Sequence, residues 1–221
     1  MITTKQELAA MIDHSLLKPN ATREQLRKLC EEAIAFGFKT VCINPIHVAD
    51  AFRMLKGNEP FVCSVVGFPF GTHSPKSKTF ETEQVIREGA REVDMVIRVG
   101  ALKEGRNQEV LEDIEAVVKA AKGHPVKVIL ETCYLTDEEK IRACRLAIEA
   151  GASFVKTSTG FAEGGAKIED VKLMRKAVGK QFGVKAAGGI RTLGEALKMI
   201  EAGANRLGTS GSVAIIKELK D

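Results

Sequence analysis

Tryptophan is absent from the 221-residue chain and tyrosine occurs once, at Tyr134, while the ten phenylalanines lie mostly inside apolar runs. Exposed aromatic platforms for stacking single-stranded bases are therefore scarce. Charge of one sign is missing too: 33 basic residues face 29 acidic ones, interspersed along the helical stretches, for a net charge of +4. Without basic blocks this is a poor nucleic-acid binder, and the small positive balance suits a phosphorylated small molecule. No stretch approaches the roughly 18 consecutive apolar residues of a membrane span, and the opening Met1-Ile2-Thr3-Thr4-Lys5-Gln6-Glu7 lacks the apolar core of a signal peptide. The five cysteines (Cys30, Cys42, Cys63, Cys133, Cys144) are odd in number and never form C-x-x-C, which argues against a disulfide frame or a zinc ribbon. His14, His47, His73 and His124 form no i, i+2 or i, i+4 pair, so no metal site is expected. These absences point to a cytoplasmic protein with no membrane or nucleic-acid partner.

What remains is an ordinary globular composition, 44% hydrophobic and 28% charged with 20 glycines, in a length that fits one domain over residues 1–221. Apolar periodicity alternates between helical and short β-rich runs. Candidate strands are Thr40–Asn44, Phe61–Val66, Val93–Ile97, Val126–Leu130, Ser153–Lys156, Gly183–Ala186 and Asn205–Gly208. Ile12–Leu16, after a short opening helix at Thr4–Met11, is the place left for an eighth. Capping boxes open several helices: Thr22 with Gln25, Thr136 with Glu139, Thr192 with Glu195. Helix-glycine-strand junctions recur at Gly37, Gly89, Gly151 and Gly203, with spacings of 52, 62 and 52 residues. Eight strands so spaced predict an α/β fold, a (β/α)8 barrel with a short N-terminal helix, whose site lies at the carboxyl ends of the strands. An open doubly wound sheet is the alternative, disfavoured because no G-x-G-x-x-G follows a strand.

Parallel strands covered on both faces should be apolar throughout, so charges within them ask for an explanation. Five residues beyond each junction glycine stand Cys42, Asp94, Lys156 and Gly208, which should lie at similar depth. Lys156 ends one strand and Lys185 occupies the corresponding place on the next. Each lysine could instead snorkel into solvent. Side by side, they could share one chemistry. Lowering a lysine from pKa 10.4 to about 7 takes roughly 4.6 kcal/mol against the ammonium. Two ammoniums about 5 Å apart repel by roughly 3.3 kcal/mol at an effective dielectric of about 20, leaving desolvation to supply the rest. One lysine would then be a neutral nucleophile suited to Schiff-base formation, the other a fixed cation. Asp94 reads either as a structural ion pair with an interior lysine or as a proton relay, and Asp13 as a second acid that orients the network or meets substrate.

Glycine loops make a second constellation. Gly188-Gly189-Ile190-Arg191 lies between a strand and the helix capped by Thr192, and Gly208-Thr209-Ser210-Gly211 repeats the design after the last strand. Backbone N–H groups there can converge on a phosphate, the usual anion site of this architecture. Gly160 and Gly164-Gly165 extend the same rim.

The segments IDHSLLKP (12–19), VCINP (41–45), VVGFPFG (65–71), VDMVIRVGALK (93–103), ILETCYLT (129–136), FVKTSTGF (154–161), KAAGGIRT (185–192) and RLGTSGS (206–212) resemble, in order and over nearly the whole length, the deoxyribose-phosphate aldolases. The resemblance implies a class I aldolase that reversibly cleaves 2-deoxy-D-ribose 5-phosphate to D-glyceraldehyde 3-phosphate and acetaldehyde in deoxyribonucleotide catabolism. It implies no metal or organic cofactor, and a homo-oligomer, a dimer or higher. It places the Schiff-base lysine on Lys156, the second lysine on Lys185, the relay aspartate on Asp94 and phosphate contacts on Gly160, Gly188, Gly189 and the Gly208–Ser210 region. One departure is Arg98, where the family commonly carries a neutral residue; an extra cation there would bear on the charge balance around Asp94. Competing readings are a phosphate-binding isomerase or lyase that forms no covalent intermediate, and a non-catalytic sugar-phosphate sensor or nucleic-acid-binding protein.

Overall fold

In the computed structural model, which describes residues 4–220, eight parallel strands close into a barrel in sequence order, β1 pairing with β8. They are β1 (Ile12–Leu16), β2 (Thr40–Ile43), β3 (Phe61–Val66), β4 (Ala90–Val96), β5 (Val126–Ile129), β6 (Phe154–Lys156), β7 (Gly183–Ala187) and β8 (Arg206–Thr209). Helices jacket them: α1 (Lys5–Ala9), α2 (Arg23–Phe36), α3 (Val48–Met54), α4 (Pro75–Arg87) and α5 (Val99–Lys103) in the first half. The second half adds α6 (Asn107–Ala120), α7 (Asp137–Glu149), α8 (Ile168–Val178), α9 (Leu193–Glu201) and α10 (Ser212–Glu218). No helix of the described residues is long and apolar enough to cross a membrane.

Local chemistry sets the boundaries. Both partners of the capping box are bonded at Thr22 with Gln25, Thr136 with Glu139 and Thr192 with Glu195, and a fourth box, Thr4 with Glu7, opens α1. Gly37 closes α2 in the left-handed conformation (φ 68°), which costs a residue without Cβ little. The eighth strand lies where the sequence leaves room for it, Ile12–Leu16. The fourth begins three residues earlier than Val93, because Arg91 sits in a register irregularity opposite Val62–Cys63 and Glu92, although charged, finds partners inside the barrel.

Strand residues facing the helices are apolar and buried: Val41, Val62, Val93, Val128, Val155, Val184 and Leu207. This outer shell is the main core. The opposite faces of the same strands point into the barrel in layers drawn from alternate strands. Glu92, Phe154 and Arg206 meet near the amino ends, Arg206 lying 5.3 Å from the Phe154 ring centroid. Asp13, Cys63, Lys127 and Lys185 come next, followed by Cys42, Asp94, Lys156 and Gly208. The four positions picked out by the glycine spacing thus belong to one layer. Most of this interior is charged, which is unusual for a barrel of this size and fixes where its chemistry lies.

Candidate active site

Inside the barrel the described ion pairs join four cations to three carboxylates. Lys127 reaches Glu92 at 2.6 Å, Asp94 at 2.7 Å and Asp13 at 3.6 Å. Arg206 pairs with Asp13 at 2.7 Å and Glu92 at 2.9 Å. Lys185 pairs with Asp13 and, at 2.7 Å, with Asp94. Lys156 is held by one carboxylate alone, Asp94, at 2.8 Å. Water is excluded: Asp13, Asp94, Lys127 and Lys185 are 0% exposed. Burial by itself disfavours every one of these charges. For Asp13 it pushes the carboxyl up, but Lys185, Lys127 and Arg206 outweigh it and hold the group below the usual carboxylate range. Asp94 is held low in the same way by Lys127, Lys156 and Lys185. Conversely, burial depresses Lys127 and Lys185, and the surrounding carboxylates more than reverse it. Those amines are fixed cations. Fully ionised, the paired network carries one positive charge more than it can balance, and Lys156 is its least compensated member.

The two lysines are register partners on β6 and β7, and their nitrogens meet on the same oxygen, Asp94 Oδ2. Neither snorkels outward; Lys156 is 2% exposed. Gly208 makes this possible: a Cβ there would stand 2.9 Å from Lys185 Cε, so the absent side chain is the space through which Lys185 rises. The Thr157 hydroxyl donates to Ala187 O at 2.9 Å and accepts from Ala187 N at 3.0 Å, tying the ends of the two lysine strands together. The direct ammonium repulsion considered above is therefore incomplete, because a carboxylate lies between the nitrogens.

Above them a cavity of about 450 Å³ opens at the carboxyl ends of the strands, lined by Lys156, Lys185, Cys42 and the loops that follow β6, β7 and β8. Gly160, Gly188, Gly189, Gly208 and Ser210 all line it. Gly188 and Gly189 adopt positive φ (91° and 82°), which turns the chain sharply over the mouth. The donor set is narrower than the sequence implies. Arg191 N is spent on Glu195 at 2.7 Å, whereas the Gly189 and Ser210 amides donate to no other described residue. Thr209 Oγ1 bridges the two loops, donating to Ile190 O and accepting from Gly211 N.

Asp13, read as an acid that orients the network or meets substrate, does not line the cavity; it lies beneath it, bonded to Lys185 and Arg206. Arg98 does not face Asp94. It follows β4 on the outward side and pairs with Glu109 at 3.1 Å, so it leaves the interior charge balance alone. Three network members were missed. Lys127 and Arg206 carried the same signal as Lys156, a charge inside an apolar parallel strand, and Glu92 lay outside the strand boundary drawn at Val93.

Two triads of metal-ligating type converge in the interior, Cys42, Cys63 and Asp94, and Asp13, Cys63 and Glu92. Their atoms already serve Lys127, whose nitrogen lies 2.7 Å from Asp94 and 3.2 Å from Cys63 Sγ, so an ammonium stands where a cation would bind. His14 faces away from the interior, between Ser212 at 2.9 Å and Glu32 at 3.0 Å, with burial lowering its pKa.

Comparison with known proteins places the chain in a family. Residues 8–215 fit the family model described as DeoC/LacD family aldolase, and the chain belongs to that family. It is 58% identical over 222 residues to a deoxyribose-phosphate aldolase of Carboxydothermus hydrogenoformans, covering 99% of this chain and 97% of that one. A protein of the same name from Caldanaerobacter subterraneus subsp. tengcongensis is 57% identical, with 96% and 94% covered. Among solved structures, the tetrameric deoxyribose phosphate aldolase from Aeropyrum pernix superposes with a TM-score of 0.93 at 33% identity, over 99% of this chain and 93% of that one.

Proposed function

We propose that this member of the DeoC/LacD aldolase family reversibly cleaves 2-deoxy-D-ribose 5-phosphate to D-glyceraldehyde 3-phosphate and acetaldehyde through a Schiff base on Lys156. The observation that carries the reading is the position of the Lys156 amine, at the floor of the cavity and bound by one carboxylate of a network that has a cation to spare. Releasing the Lys156 proton brings that network to balance and leaves a nucleophile.

The neutral amine adds to the C1 aldehyde of the open-chain sugar, and the carbinolamine loses water to an iminium. Acetaldehyde carries C1 and C2, so the bond that breaks is C2–C3. A base takes the C3 hydroxyl proton, the C2–C3 electron pair moves into the iminium to give an enamine, and C3 leaves as the aldehyde of glyceraldehyde 3-phosphate. Protonation at C2 and hydrolysis release acetaldehyde and restore Lys156. Lys185 stands as a fixed cation beside Lys156, and Asp94, held ionised, orients both amines for proton transfer. Anion-binding amides at Gly160, Gly188–Gly189 and Ser210 would hold the phosphate and set C1 beside the amine.

The similarity to deoxyribose-phosphate aldolases supports the substrate, and the tetrameric Aeropyrum pernix structure supports an assembly of two or more copies, measurable by light scattering. A single catalytic domain in the cytoplasm agrees with five free cysteines. The test is reduction with borohydride in the presence of acetaldehyde, followed by weighing the protein. The parent gains one reduced two-carbon adduct. Lys156→Ala gains none and loses at least about a thousandfold in kcat. Activity with no trapped adduct in the parent would instead identify a non-covalent enzyme.

A further inference from the structure

Glu131 directly follows β5 and takes a left-handed backbone conformation, φ 54° and ψ 65°. One other described non-glycine residue has positive φ, Lys122, in an exposed turn. Glu131 is buried, at 3% exposure, and a strained conformation in a buried, side-chain-bearing residue persists where its surroundings require it. Here the surroundings are one loop. The carboxylate accepts from Thr159 N at 3.2 and 3.3 Å and from the Thr159 hydroxyl. The same Thr159 oxygen accepts from Phe161 N at 3.0 Å, and Thr132 N donates to Thr157 O at 3.0 Å beside it. The Glu131 carboxylate and the Thr132 amide thus both bond residues 157–159 of the loop that follows Lys156, while the Glu131 and Thr132 carbonyls close their own turn by accepting from Tyr134 N and Leu135 N.

Thr159, Gly160 and Phe161 line the main cavity, and a Cβ on Gly160 would come within 4.0 Å of Gly188 Cα across the mouth. Glu131 does not line that cavity. It lies behind the loop, in a separate apolar cleft with Val96, Val99 and Tyr134. We propose that Glu131 is a positioning residue for the phosphate end of the site, its carboxylate fixing the Thr159–Phe161 turn so that the Gly160 amide faces the Gly188–Gly189 loop. The inference rests on the reading of this cavity as the site of a phosphorylated sugar.

Two substitutions separate the side chain from the backbone. Glu131→Gly keeps, and favours, the left-handed conformation while removing the carboxylate. Glu131→Gln keeps an acceptor for Thr159. For cleavage of 2-deoxyribose 5-phosphate, Glu131→Gly is expected to raise KM about tenfold with kcat within about threefold, and Glu131→Gln to restore KM to within about threefold. Against unphosphorylated 2-deoxyribose, the fall in kcat/KM for Glu131→Gly is expected to be several times smaller than against the phosphate ester. Equal losses on both substrates, or no loss on either, overturn the positioning role. Borohydride trapping with acetaldehyde, which carries no phosphate, runs alongside: no adduct in the parent overturns the Schiff-base reading and this inference with it, while a normal adduct with equal losses overturns the Glu131 assignment alone.

Discussion

Lys78 and Lys185 are both fully buried and both reach a carboxylate, yet their pKa values are shifted in opposite directions. Lys78, on α4 between barrel and jacket, meets Asp113 at 2.5 Å and Val96 O at 2.9 Å. Burial there outweighs the partner: the lysine pKa is lowered and that of Asp113 raised, and Asp113 Oδ1 has no hydrogen-bond partner. Lys185, inside the barrel, has two carboxylates, each shared with further cations, and its pKa is raised while theirs are lowered. An isolated buried pair only partly recovers the hydration it gives up. A cluster in which every charge faces several opposite ones recovers more. A single buried Lys–Asp pair in this fold is shifted toward the neutral forms at both partners, whereas the network keeps Lys185 a cation beside Lys156.

The largest effect is expected from Lys185→Leu. Asp13 and Asp94 each lose a cation, and the expected cost is about 3–5 kcal/mol in urea unfolding. A folded Lys185→Leu variant should also lose about a hundredfold or more in kcat/KM, and an unchanged kcat/KM in a folded variant would refute the assigned role. Stability should respond to acid as well. Carboxyls whose folded pKa is depressed stabilise fully above the ordinary carboxylate range, and that contribution disappears as the pH falls below about 4. The parent should therefore weaken steeply there, and Lys185→Leu more gently.

A smaller effect belongs to the outer pair. Lys78→Met strands Asp113 and should cost about 3 kcal/mol, while the double variant Lys78→Met/Asp113→Leu should return to within about 1 kcal/mol of the parent. Asp113, with its pKa raised, favours the folded state at low pH and ceases to do so as the pH climbs from about 4, so the double variant should gain on the parent over that range. A double variant as weak as the single one would show that the outer pair behaves like the network. Smallest of all is Lys140, which reaches Asp170 at 2.6 Å and Asp137 at 3.0 Å near the surface. Lys140→Met should cost about 1–2 kcal/mol by the same measurement, since water competes for the exposed Asp137 but not for the buried Asp170.

Much of the site was legible because a charge in an apolar parallel strand is conspicuous: Lys156, Lys185 and Asp94 stood out for that reason. The same rule applied evenly would have found Lys127 and Arg206. Glu92 was hidden by a strand whose start is set by pairing across a bulge, a tertiary matter. Asp13 was visible as an acid on β1, but its depth in the barrel was not, so the sequence left open whether it orients the network or meets substrate, and the fold bonds it to Lys185 and Arg206. Arg98 shows the converse error, since one residue beyond a strand the direction of a side chain depends on how the chain leaves the sheet. Glu131 left no trace, because nothing in a glutamate announces a left-handed backbone.

The sequence alone determined the alternation of strand and helix, the closing glycines and the helix caps, because those are settled by contacts within a few residues along the chain. It also determined that charges would stand inside the barrel wall. Closure of the barrel decided the rest. Only when β8 returns to β1 does Arg206 meet Asp13, and only across four neighbouring strands does one carboxylate gather Lys127, Lys156 and Lys185. Charge balance inside a low-dielectric interior is a property of distances between remote residues, and local sequence carries no measure of them.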